Sequence, residues 1–110
     1  MDKFKSIFSG LEIAYGQYQP GERGDNGKQK GKAFIVRGQV TDELWRNHIA
    51  GEGPALGIIP ITENNSCRWG CIDIDEYNFD HTGLIKSIRS NNLPLIVCRS
   101  KSGGAHVFLF

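Results

Sequence analysis

Two aspartates and a histidine carry the chemistry this chain offers. Asp73-Ile74-Asp75 ends the run Trp69-Gly70-Cys71-Ile72, and His106 follows Asp75 by 31 residues, in Ser102-Gly103-Gly104-Ala105-His106. The first run has the alternating, β-branched character of a strand. Residues two apart in a strand share a face, so Asp73 and Asp75 project together, their Cα atoms roughly 6.6 Å apart. Paired carboxylates repel unless a cation lies between them. Mg²⁺ and Mn²⁺ suit such a pair, because hard cations take oxygen ligands and accept one or two carboxylates plus substrate phosphates.

The second element offers what a triphosphate needs. Arg99-Ser100-Lys101-Ser102-Gly103-Gly104 follows a predicted strand, Leu95–Cys98, and leads through His106 into Val107-Phe108-Leu109-Phe110. It holds two cations, two hydroxyls and adjacent glycines. Glycines permit positive φ and close backbone approach, with N–H groups turned to an anion. Arg99, Lys101, Ser102, Gly103, Gly104 and His106 are therefore the candidate nucleotide contacts, and Asp73 and Asp75 the candidate metal ligands.

These residues resemble the catalytic core of the archaeo-eukaryotic primase superfamily, the primase-polymerases. The resemblance is strongest from Cys67 to Phe110. A fainter likeness to the primase-polymerase domain of TOTE conflict systems and of phage or plasmid replication proteins runs through Trp45, His48, Gly51, Gly57, Pro60 and Trp69. It implies that Asp73 and Asp75 are the catalytic Asp-x-Asp and that His106 is the catalytic histidine on the nucleotide's phosphates. It further implies metal-dependent, template-directed nucleotidyl transfer. The partners would be nucleoside triphosphates and a single-stranded DNA template or primer, and the cofactor Mg²⁺ or Mn²⁺. The family's second motif reads Ser-x-His; here Gly104 holds the serine position and Ser102 is the nearby hydroxyl. The family's third acid has no counterpart here. The expectation is that residues 1–110 form the N-terminal portion of a primase-polymerase catalytic domain from a longer protein, prone to self-association as a fragment.

Two other readings stay open. One is a nucleotide- or single-strand-binding module without catalysis in isolation, with Trp69, Phe79, Phe108 and Phe110 as stacking rings, although aromatics within apolar strands are more often core. The other is a metal-dependent phosphohydrolase.

Composition sets the bounds. The 110 residues suit one domain able to bury a core. With 13 Lys and Arg against 12 Asp and Glu the net charge is +1, so contacts to nucleic acid must come from local patches. Three cysteines, an odd number, argue against a disulfide framework and make a reducing cytoplasm the expected location. Cys67 and Cys71 form half of a zinc set without a second pair. No apolar run reaches the ~20 residues of a membrane span, so no membrane partner is expected.

The elements that must position these residues are read as follows. Phe4, Ile7, Phe8 and Leu11 predict a helix over 3–14. Residues 16–32, rich in Gly and Lys, read as a surface loop whose Lys28, Lys30 and Lys32 are candidate nucleic-acid contacts through phosphates. The spacing there is not that of a P-loop. Phe34–Val36 predicts a strand. Thr41 caps a helix that Gly51 stops, with His48 as a packed or capping residue. Gly57–Ile61 predicts a strand that turns through Glu63–Ser66 into a hairpin with the Asp-x-Asp strand. Asp80 caps a helix to about Asn91, ahead of Pro94 and the next strand. Glu76 and Asp80 stand close enough to Asp75 to be minor candidates for a metal. The expected fold is α+β (mixed α/β), an N-terminal α/β part followed by a β-α-β-β, RRM-like half of a primase-polymerase core, with its β-α-β crossover right-handed.

Overall fold

The computed structural model describes residues 1–25 and 29–110, and the chain forms two compact units, Met1–Arg68 and Trp69–Phe110. The fold of the described residues is α+β, three helices with two three-stranded antiparallel sheets. No helix among the described residues is long and apolar enough to cross a membrane.

In the first unit, α1 (Asp2–Phe8) leads to β1 (Ala14–Arg23), β2 (Gln29–Arg37), α2 (Asp42–Ala50) and β3 (Ala55–Gly57). The sheet order is β2-β1-β3. Among the described residues of this unit, Trp45 of α2 and Tyr15 of β1 are the buried side chains, and Phe4 meets the Trp45 ring edge-on. Lys5 pairs with Asp42. The hydrogen bond and opposite charge raise the Lys5 pKa and lower that of Asp42. The ends of α2 are as expected. Thr41 Oγ1 accepts from the Leu44 N–H, and Gly51 adopts φ 72°. His48 Nδ1 accepts the Leu56 N–H at 3.1 Å, which ties α2 to β3.

Three expectations for this unit are corrected. The first helix ends at Phe8, not 14, because Ser9 takes extended backbone and the Leu11 N–H bonds the Ile59 carbonyl. Residues 16–23 and 29–32 are strand rather than loop. Residues 14–23 and 29–37 pair from Ala14↔Arg37 through Pro20↔Gly31, with an irregularity before Arg23↔Gln29. The glycines misled because one of them seats a ring: a Cβ on Gly31 would overlap Tyr18 across the ladder. Finally, 57–61 does not form a hairpin with the Asp-x-Asp strand. Ala55–Gly57 pairs with β1, and only an isolated bridge, Ile61↔Cys67, flanks the turn in which the Thr62 N–H bonds Ser66 O. Pro60 lacks the N–H that a ladder there needs.

In the second unit, β4 (Gly70–Ile74), α3 (His81–Ser90), β5 (Leu95–Arg99) and β6 (Ala105–Leu109) follow one another. This is the expected β-α-β-β order. The sheet order is β4-β6-β5, with β6 antiparallel to both neighbours. Strands β4 and β5 are therefore parallel but separated by β6. Asp80 caps α3 by accepting the Gly83 N–H at 3.0 Å. The buried side chains are Ile88 on α3 with Ala105 and Val107 on one face of β6, and α3 packs on β5.

Candidate functional site

The site is written by strand parity. Ala105 and Val107 are 0% and 4% exposed, so residue 106 between them must face the other way. On that outward face the two ladders place Asp73, His106 and Cys98 in one row across β4, β6 and β5. His106 Nε2 lies 3.4 Å from Asp73 Oδ1, with the side chains 45% and 65% exposed. The Phe108 ring meets the imidazole edge-on, 6.2 Å between centroids. Two residues 33 apart in sequence thus share one solvent-facing spot. A carboxylate beside an imidazole there can accept a cation, hold a phosphate's proton or charge, or do both with water present.

Asp75 follows β4 directly, one residue past the end of the ladder. The described residues contain no group of three or more His, Cys, Asp or Glu side chains placed to hold a metal. The donor set still fits a hard cation of the Mg²⁺ or Mn²⁺ kind. Its oxygens are exposed, and such ions are completed by water and substrate phosphates rather than by an all-protein cage. Asp80 is engaged as the α3 cap. Cys67, Cys71 and Cys98 are free thiols. Partial burial of its sulfur, then the Asp73 carboxylate, push the Cys71 thiol pKa up.

The turn between β5 and β6 is tighter than its composition suggested. The Ser100 N–H bonds Gly104 O and the Gly103 N–H bonds Ser100 O. The Gly103 amide is thereby used within the turn rather than offered to an anion. Gly103 does take the expected positive φ, 93°. Gly104 serves close approach instead: a Cβ there would overlap the Ile74 carbonyl oxygen of β4. Lys101 and Ser102 sit on the turn, and Ser100 Oγ lies 3.3 Å from Ser102 Oγ. Arg99 pairs with Ala105, which assigns it to the face opposite His106. The register brings together Asp73 and His106 and leaves Arg99 outside their face.

One positioning residue had no sequence signal. His81, the first residue of α3, places Nε2 2.8 Å from Gly104 O. A carbonyl only accepts, so Nε2 carries the hydrogen. This bond ties the helix start to the turn that precedes His106. Of the lysines proposed for nucleic acid, Lys30 and Lys32 lie exposed on β2, and Lys28 falls outside the described residues.

A family model for the Archaeo-Eukaryotic Primase domain of the TOTE conflict system matches residues 3–110. No curated protein and no solved structure matches the chain. The matched span covers both units, the Asp73–His106 pair and the turn beside it. The chain belongs to the archaeo-eukaryotic primase domain family of TOTE conflict systems, a family of primase-like nucleotidyl transfer.

Proposed function

We propose that this chain binds a nucleoside triphosphate together with Mg²⁺ or Mn²⁺ on the outward face of β4 and β6, as the catalytic part of a template-directed primase-polymerase. One observation carries the reading: an exposed carboxylate and an exposed imidazole from separate strands stand 3.4 Å apart, in a chain of the primase family. Asp73 and Asp75 are the residues that would hold the cation. A divalent ion bound there would supply Lewis-acid polarisation of the phosphate and of the attacking hydroxyl.

The rest falls to side chains of the chain itself. His106, when protonated, sets positive charge beside Asp73 and can donate to a phosphate oxygen. Lys101 adds a point charge and Ser102 a hydroxyl at the turn. Arg99, on the opposite face, has no part. No covalent intermediate is required, because nucleotidyl transfer gains mainly from positioning and charge stabilisation. His81 fixes the turn through Gly104 and so acts through other groups.

Calorimetric titration of Mn²⁺ with a nucleoside triphosphate into the wild type and Asp73→Asn tests the reading, and primer extension on a single-stranded template follows. Metal-dependent binding that the variant loses is the expected result. Triphosphate binding that ignores both metal and Asp73 would turn the assignment to a binding module. Hydrolysis of free triphosphate without template would turn it to a phosphohydrolase.

A further inference from the structure

We infer that Cys71 and Cys98 make the outward face of β4, β6 and β5 a thiol-modification site, where a mixed disulfide with a small acidic thiol closes the Asp73–His106 site. The two ladders fix the placement. Cys98 stands directly across from His106, on the side opposite Asp73. Cys71 precedes Asp73 by two residues in β4 and so shares its face. Each member of the pair thus has a thiol beside it. Both thiols are free and exposed. Directly opposed side chains on one face of a sheet have Cβ atoms about 4.5–5.5 Å apart. An adduct of several heavy atoms on Cys98 therefore reaches the imidazole.

The geometry also selects the reaction. An internal disulfide needs Cα atoms about 4.4–6.8 Å apart. Cys71 and Cys98 lie on strands separated by β6, two ladder spacings of about 4.8 Å each, and two residues out of line. They cannot close on one another, so the sulfur partner must come from outside. The cysteine thiolate attacks one sulfur of a small-molecule disulfide. The new S–S bond forms as the old one breaks, the other half leaves as its thiolate, and the cysteine's proton goes to water. The exchange balances its own electrons and needs no further oxidant. An acidic retained half suits an imidazole that can carry positive charge, and it sets a carboxylate where a triphosphate would lie. The opposing view is that a surface thiol is only a small apolar side chain. The two accounts differ in what an adduct does to His106.

Closure of the site rests on the triphosphate reading proposed above; coverage of His106 does not. The full chain is treated with oxidised glutathione, and peptide mass spectrometry locates the adducts. Acylation of His106 by diethylpyrocarbonate is then followed against that of His48, and calorimetry with Mn²⁺ and a nucleoside triphosphate is run before and after dithiothreitol. In Cys71→Ser, the Cys98 adduct should slow acylation of His106 and leave His48 unaffected. One added carboxylate about 4 Å from a phosphate charge weakens binding about fivefold even in water. The triphosphate Kd should therefore rise at least about fivefold and return on reduction. Cys98→Ser should lose the shielding of His106, and Cys71→Ser with Cys98→Ser should bind triphosphate equally with and without the disulfide. If the reduced protein binds no triphosphate, the proposed function falls, and the acylation rates still decide this inference. Unchanged acylation of His106 at full Cys98 modification would overturn it. So would adducts confined to Cys67, or an unchanged Kd where the reduced protein binds. A Tm lowered by more than about 8 °C would make the loss one of unfolding and overturn it too.

Discussion

Asp73→Asn separates a functional carboxylate from a structural one, because the structure gives different magnitudes for the two roles. The Asp73–His106 pair spans 3.4 Å, and with His106 protonated the two unit charges attract at that distance in water by ~1.2 kcal/mol. Both side chains are largely exposed, so solvent and salt reduce this to about 0.5 kcal/mol, the usual worth of a surface pair. Asparagine keeps the shape of the side chain and leaves the ladder intact. The expected fall in Tm is about 2–4 °C for a unit of this size. Ligand binding should respond far more. A lost carboxylate facing a dication forfeits ~2 kcal/mol even in water, twice the unit-pair value at about 4 Å. That is about a 30-fold loss in affinity for the metal–triphosphate complex. Thermal melts and calorimetry on the same preparation give both numbers. A Tm drop beyond about 8 °C would mean that Asp73 holds the sheet together, and an unchanged Kd with an unchanged Tm would mean that it holds nothing. Either result removes the carboxylate from the site.

Four further outcomes are expected. The Asp73 carboxylate helps to raise the Cys71 thiol pKa, so Asp73→Asn lowers that pKa, enlarges the thiolate fraction at a given pH and speeds alkylation of Cys71 relative to Cys67, as read by peptide mass spectrometry. Gly104→Ala forces a methyl onto the Ile74 carbonyl and should cost about 2 kcal/mol by overpacking, visible as a lower urea midpoint. Asp80→Ala removes the α3 cap and should cost about 1 kcal/mol, with metal–triphosphate affinity retained; lost affinity would mean that Asp80 is a ligand after all. His81→Ala releases the turn from α3 at a cost of about 1 kcal/mol. It should raise the triphosphate Kd without altering metal dependence, whereas an unaltered Kd would show that the turn needs no tether.

The elements legible in the sequence are those specified by neighbours along the chain. Thr41, Gly51 and Asp80 mark helix ends because a cap is a local hydrogen bond or a local φ, and the structure shows each at work. The runs Leu95–Cys98 and Val107–Phe110 announced strands because they are short, apolar and rich in β-branched and aromatic residues, although only Val107 among them is buried. The pair β1–β2 was illegible for the opposite reason. Most of its residues are exposed, so no apolar alternation marks it, and its glycine at 31 is explained only by the Tyr18 ring on the other strand. Within the site, the residue types were legible but their side of the sheet was not. Arg99 reads as a phosphate ligand until the register Arg99↔Ala105 places it on the far face. His81 gives no local sign of its role, since its partner lies 23 residues away.

The order β4-β6-β5 explains why the core and the site cannot be varied independently. The last strand in sequence enters between two strands already separated by a helix, so His106 gains one neighbour from each side, Asp73 and Cys98. A one-residue slip in either ladder would invert the faces, burying the imidazole and exposing Ala105 and Val107. Burial of those two side chains therefore holds His106 beside Asp73, although neither touches a ligand. Gly104 sharpens the constraint, because only a residue without a Cβ lets the incoming strand approach Ile74 closely enough to start that register. Apolar changes at 105 or 107 should thus act on ligand affinity through the Asp73–His106 distance as well as on stability.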